Sequence, residues 1–267
     1  MGGAQMTAIT LITVRGTAER RWSATNMLSV PALKLGDRVE WVDLDYEASI
    51  ACFNPTGNVL GVSEAQSRRE GVTNLAAAIR STPNLVVLAG YSLGALVVSD
   101  FLAARARGAY RDCTVLAVVN IANPARRAAQ SYGRPSFGYG LDGAHPAWPA
   151  GIDVYEIANP VDGITSMPAE SPLRPLADQI RTFSLGDPHV WFDHMVAQLD
   201  GMEARQARAQ WWEPTFWQSY AEAPAWLRGY LFDGQHTRAY TERRWYGRAG
   251  RRISAQDLVA ETVAIYA

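Results

Sequence analysis

The chain has 267 residues, 48% of them apolar and 19% charged, with a formal net charge of -1. That balance excludes a disordered or fibrous chain, and it provides no global field to draw nucleic acid or an anionic membrane. No apolar run reaches the ~18 to 20 residues that span a bilayer.

The N-terminus lacks the basic start of a secretory signal, and its apolar stretch, residues 8–14, is short; synthesis in a cytoplasm without a signal peptide is expected. Met6 stands where a myristoylation site needs Ser or Thr. The cysteines, Cys52 and Cys113, form neither a disulfide framework nor a metal-binding C-x-x-C, and read as free thiols. All basic residues except Lys34 are arginine, the codon bias of a GC-rich genome.

The first ~160 residues alternate strand and helix patterns, so a parallel sheet covered by helices is expected. Residues 9–14 (ITLITV) and 38–44 (RVEWVDL) read as the first two strands. Ser63 opens a helix with a capping-box pattern reaching Gln66, and Val72, Leu75, Ala76 and Ile79 recur at helical spacing. Residues 85–89 (LVVLA) form a wholly apolar run, as in a strand buried on both faces. A helix over 95–107 follows. Residues 113–121 and 153–158 read as further strands. Residues 122–150, rich in Gly, Pro and aromatics, read as a long surface excursion.

From Pro172 to about Phe232 apolar residues fall at mixed helical spacings, with no strand pattern. The expected organisation is a core of 1–171 and 233–267, with a helical cap inserted over 172–232. The cap holds Trp191, Trp211, Trp212, Trp217 and Trp226, which suit either its own small core or an acyl groove. Arg243, Arg244, Arg248, Arg251 and Arg252 read as a solvated charge run, with contact to wall polysaccharide as the alternative. A last helix begins near Ser254.

The sharpest chemical signal is Gly90-Tyr91-Ser92-Leu93-Gly94, a G-x-S-x-G where a buried strand meets a helix. So tight a turn requires small neighbours and holds the serine hydroxyl above the sheet. Serine is a weak nucleophile at neutral pH and needs an imidazole base oriented by a carboxylate. Asp162, in the loop after strand 153–158, fits the acid. Of four histidines, His236 lies on a loop before the last helix and fits the base by position. His189 is its main rival; with His194 it flanks an apparent helix turn, where packing or capping would explain both. The oxyanion needs two backbone donors. Leu93, after the nucleophile, is one, and Thr17, in the Arg15-Gly16-Thr17 loop after the first strand, is the other. Gly138-Tyr139-Gly140-Leu141-Asp142-Gly143 matches G-x-G-x-x-G but lacks a strand before and a helix after it; it reads as a flexible loop near the site.

Thr13-Val14-Arg15-Gly16-Thr17, the elbow, Asn123-Pro124-Ala125-Arg126, Asn159-Pro160-Val161-Asp162 and the acid-before-histidine order resemble the cutinase-like branch of the α/β-hydrolases. Within it the pattern is most similar to the lysin B esterases of phages infecting mycobacteria. Leu93 departs from the Gln frequent there, which keeps a backbone donor and loses a side-chain contact. The resemblance implies an α/β-hydrolase fold, a Ser92-Asp162-His236 triad, and no cofactor or metal. It also implies hydrolysis of the ester joining mycolic acids to arabinogalactan, at the host envelope during lysis. Other lipid esters, for a lipase or polyesterase, and a non-catalytic cell-wall binding module are the alternatives. Neither nucleic acid nor stable membrane insertion is expected; the oligomeric state is open.

Overall fold

The computed structural model describes residues 9–50, 54–56, 62–176, 196, 197, 199, 202 and 214–267, with the backbone alone for 214–217, 230 and 231. Five parallel strands form one sheet: β1 (Ile9–Val14), β2 (Glu40–Asp43), β3 (Leu85–Tyr91), β4 (Ala117–Ile121) and β5 (Asp153–Ile157). Their order is β2-β1-β3-β4-β5, with β3 at the centre, in register with Val14 of β1 at Gly90 and with Ile121 of β4 at Tyr91. The central α/β-hydrolase sheet flanked by helices is therefore present.

Successive side chains of a strand point to opposite faces, so each central strand feeds two cores. Ile9, Leu11, Val87 and Ala89 pack on one side with α1 (Ser29–Leu35) and α5 (Ala255–Val263). Ile12, Val14, Val86 and Leu88 pack on the other with α2 (Glu64–Ser81) and α3 (Leu93–Ala106). Burial on both faces is why these strands read as continuous apolar runs rather than alternating ones.

Local chemistry sets the helix ends. The Ser63 hydroxyl accepts from the Gln66 amide (3.2 Å) at the start of α2. Ser254 and Asp257 form a full reciprocal capping box on α5. The second strand is shorter than residues 38–44, because a 3₁₀ turn over Gly36–Arg38 occupies its start. The run 113–121 is strand only from Ala117, although Cys113 and Val115 are buried. Helix α1 carries no clear period in so few residues, and the sequence reading missed it. The arginine-rich stretch holds a small antiparallel hairpin, β6 (Trp245–Tyr246) with β7 (Arg252–Ile253).

Between β5 and the hairpin lies helix α4 (Pro214–Leu231). Its Ala223 and Leu227 join Ile164, Met167, Leu141 and Leu173 in a separate apolar cluster, so α4 packs over the loop that follows Asp162. Trp226 is half-buried against that cluster. His189, His194, Trp191, Trp211, Trp212 and Cys52 lie outside the described residues, as does the side chain of Trp217. Among the described residues, no helix is long and apolar enough to cross a membrane.

The excursion over 122–150 is not loose. Added Cβ atoms would fall 1.9 Å from the Pro124 carbonyl oxygen at Gly140 and 2.4 Å from that of Met167 at Gly138. These glycines serve close backbone approach, and residues 141–150 contain no helix. The expected flexible loop is instead packed, and the dinucleotide context is missing.

Candidate active site

Strand β3 ends at Tyr91 and α3 begins at Leu93, so Ser92 alone makes the turn. Its backbone sits at φ 52, ψ -116, a sparsely populated region costing roughly 1–3 kcal/mol for a residue with a Cβ. The residues two positions away on either side must be glycine. A Cβ on Gly94 would lie 2.0 Å from the Val14 carbonyl oxygen, and one on Gly90 would lie 2.7 Å from Ala95 Cα. The Ser92 amide donates to the Ile121 carbonyl (3.0 Å), tying the turn to β4.

The Ser92 hydroxyl meets His236 Nε2 at 2.8 Å, and His236 Nδ1 meets Asp162 Oδ2 at 2.9 Å. A carboxylate only accepts, so Nδ1 carries the proton, Nε2 is the acceptor and Ser92 donates to it. Asp162 is fully buried; its Oδ1 accepts from the Ile164 amide (3.0 Å). The histidine loop is anchored from below: Tyr91 Oη donates to the His236 carbonyl (2.9 Å). Asn159 Nδ2 donates to the Gln235 carbonyl (2.9 Å), joining the loops of acid and histidine. The structure thus brings Ser92, His236 and Asp162 into one hydrogen-bonded chain.

Tyr240 was missed by sequence reasoning. Its buried hydroxyl donates to Asp162 Oδ2 (2.8 Å) and accepts from the Asn159 amide (3.0 Å). Burial, then the charge of Asp162, pushes the phenol well above its ordinary value of 10.0, so it remains a donor. A lone tyrosine in a short 3₁₀ turn has no period to reveal it; its place four residues after His236 was the available signal. Tyr240→Phe is expected to lower kcat of an ester-hydrolysing chain by about ten- to a hundredfold, the scale of one lost hydrogen bond to a charged group. The loss should fall on kcat with KM little changed, because the hydrogen bond is to Asp162 and not to substrate. An unchanged kcat would make Tyr240 a packing residue only.

The Leu93 amide is the first of α3, where helix geometry leaves no intrahelical acceptor. Gly94 abuts Val14 and Arg15, so the loop after β1 lies beside the start of α3. That loop is held rigidly. Arg15 is buried and donates to the carbonyls of Leu44 (2.5 Å) and Tyr46 (2.6 Å), while the Glu19 carboxylate accepts from the amides of Gly16 (2.8 Å) and Met27 (2.6 Å). Thr17 lies half-buried between them, and no hydrogen bond among the described residues uses it. His145, in contrast, bonds Pro146 O (2.7 Å) and Gln130 (3.0 Å) and stacks on Trp148, a packing role.

Two buried ionisable groups brace this region. Arg126, fully buried, donates to the carbonyls of Thr165 (2.8 Å), Gln130 (2.7 Å) and Gly138 (3.1 Å), fastening the acid loop to the excursion. Glu156 on β5 accepts from Asn120 and Asn123 (both 3.0 Å). Its Oε2 and Asn120 Oδ1 are buried without a partner. Burial raises the Glu156 carboxyl from 4.5 to about 7. A raised acid favours folding while it is protonated, and that contribution is lost as pH rises through about 7. Glu156→Gln should therefore raise Tm at pH 8 by about 3–8 °C and change it little at pH 5. Melting curves at the two pH values test this; an equal shift at both would separate the effect from titration. No group of His, Cys, Asp or Glu suited to a metal occurs among the described residues.

A parallel sheet with a strained serine between its central strand and the next helix defines an α/β-hydrolase fold with a nucleophile elbow. The sequence profile of the PE-PPE domain matches residues 26–189, more than half the chain, and the chain belongs to that family. The matched span includes Ser92 and Asp162 but not Thr17 or His236. Lysin B from Mycobacteriophage D29 superposes with a TM-score of 0.54 at 16% identity, covering 97% of this chain and all of that one. The catalytic core of acetyl xylan esterase from Trichoderma reesei gives 0.47 at 18% identity, over 85% of this chain and 100% of that one. A cutinase-like protein from Cryptococcus sp. gives 0.46 at 14%, over 87% and 96%. At 16% identity the likeness to lysin B is one of fold. No curated protein gives a significant sequence match.

Proposed function

We propose that the chain is a serine carboxylic-ester hydrolase. The observation that carries this reading is the continuous hydrogen-bonded chain from the Ser92 hydroxyl through His236 to buried Asp162. Ser92 Oγ attacks the ester carbonyl as His236 Nε2 takes its proton. Asp162 holds the imidazole in the competent tautomer and stabilises its charge. The amides of Leu93 and Thr17 donate to the tetrahedral oxyanion. The alcohol leaves with the proton from His236, and water then cleaves the acyl-enzyme by the same route.

The substrate we propose is a lipid ester, and in the finer reading the bond between mycolic acid and arabinogalactan, as the sequence resemblance implies. Apolar side chains around the acid and histidine loops support a lipid acyl group. Val161, next to Asp162, is 46% exposed, and Phe232, four residues before His236, is 37% exposed. Residues 172–232 would form the cap over Ser92. In this reading the protein is made in a phage-infected host and acts at the envelope on release.

The test is product analysis after incubation with mycolyl-arabinogalactan, triglyceride and a cutin-type polyester. Free mycolate is the expected product. Turnover of triglyceride or polyester alone would replace the finer substrate with a lipase or polyesterase reading. Failure of a fluorophosphonate probe to label Ser92 would remove ester hydrolysis altogether.

A further inference from the structure

The arginine-rich hairpin is more than a solvated run. Each carboxylate around it is already engaged: Asp257 by Lys34, Glu261 by Arg251 (2.5 Å), and Glu242 by Arg244 (2.6 Å) and, farther off, Arg238 (3.8 Å). Arg134, Arg243 and Arg252 are left without an ion pair or a side-chain hydrogen bond among the described residues. Arg252 lies over the ring of Tyr246 at 5.6 Å, which holds its guanidinium without neutralising it.

Arg134 and Arg252 lie close together. The Tyr246 amide donates to the Gly133 carbonyl (2.7 Å), setting Arg134 against the hairpin. Tyr246 is the cross-strand partner of Arg252. Arg134 Nη1 is buried with no acceptor. Burial first, then the charges of Arg244 and Arg252, push the Arg134 guanidinium below its ordinary value, the signature of cations crowded without a counter-ion. Beside Arg252 opens a surface cavity of about 660 Å³ lined by Lys34, Arg243, Arg251, Arg252, Asp257 and Glu261.

We propose that this cleft binds a phosphate-bearing polyol, with Arg252 and Arg243, both in its lining, donating to the phosphate and Arg134 adding positive charge behind Arg252. Phosphate fits better than carboxylate, because a monoester carries about -1.5 to -2 charge and three acceptor oxygens against several unmatched guanidiniums. The cavity exceeds what a lone phosphate needs, since a water fills ~30 Å³. Its remaining lining is mainly charged, with Ile253 and Ala260 the apolar members, which suits hydroxyl groups rather than an acyl chain. The ligand's source is either a soluble polyol phosphate or a phospholipid headgroup.

Calorimetric titration with glycerol 3-phosphate, and cosedimentation with phosphatidylglycerol against phosphatidylcholine vesicles, test the proposal on the full chain. Binding of glycerol 3-phosphate alone identifies a soluble ligand; selective binding of phosphatidylglycerol vesicles identifies a headgroup. In either case Arg243→Gln and Arg252→Gln, both in the lining, should each weaken binding by about tenfold or more. Arg69→Gln on α2, across the sheet, should not. Arg134→Gln, outside the lining, should weaken binding less than either. Ester turnover should be unchanged in all four. No binding of either probe, or binding that the hairpin variants leave intact, would overturn the site.

Discussion

Ser92→Ala should lower kcat on a short chromogenic ester by about four to six orders of magnitude, leaving a rate still above that in water. The Ser92 hydroxyl lies 2.8 Å from His236 Nε2, at the end of the hydrogen-bonded chain that runs to Asp162. The fold should survive, because the elbow is specified by Gly90, Gly94 and the Ser92 backbone rather than by the hydroxyl. Alanine keeps the positive φ and hence the same strain. Butyrate-ester turnover and a melting curve are the measurements. Wild-type turnover with an unchanged Tm would place the nucleophile elsewhere.

His236→Ala should be nearly as damaging, and the Ser92→Ala/His236→Ala double variant no worse than either alone. Groups that act as a unit are strongly non-additive: a serine without its base is as ineffective as a base without its serine. Independent contributions would instead multiply, so the double variant is the sharper test. The opposite pattern, a silent His236→Ala with the loss appearing in His189→Ala, would transfer the base role into residues 172–232. The 2.8 Å contact between Ser92 and His236 argues for the first outcome.

The core elements of the sheet were legible because burial writes itself into local composition. Strands covered on both faces need apolar residues at every position, and LVVLA before a glycine-flanked serine could hardly be anything else. The elbow was equally legible, since its geometry tolerates glycine and little more at positions 90 and 94. The hairpin at 245–253 and helix α1 were not: each is too short to show a period, and each forms because it packs against α5 or its neighbours. The excursion over 122–150 looked loose because its order comes from Arg126 and from glycines pressed on distant backbone. Tyr240 was invisible for the same reason: its partners lie more than seventy positions away in the chain.

By itself, then, the sequence determined the residue types that the chemistry requires, the parallel sheet and the tight turn at Ser92, all of which depend on neighbours a few positions apart. Which histidine reaches the serine was decided only in three dimensions. His236 lies 144 residues from Ser92 and 74 from Asp162, and only the return of the chain beside β5 closes those gaps. The third partner on the Asp162 carboxylate and the unmatched arginines beside the hairpin have the same origin. Hydrogen bonds and charge balance act through space at a few ångströms, and no periodicity along the chain records which groups will meet there.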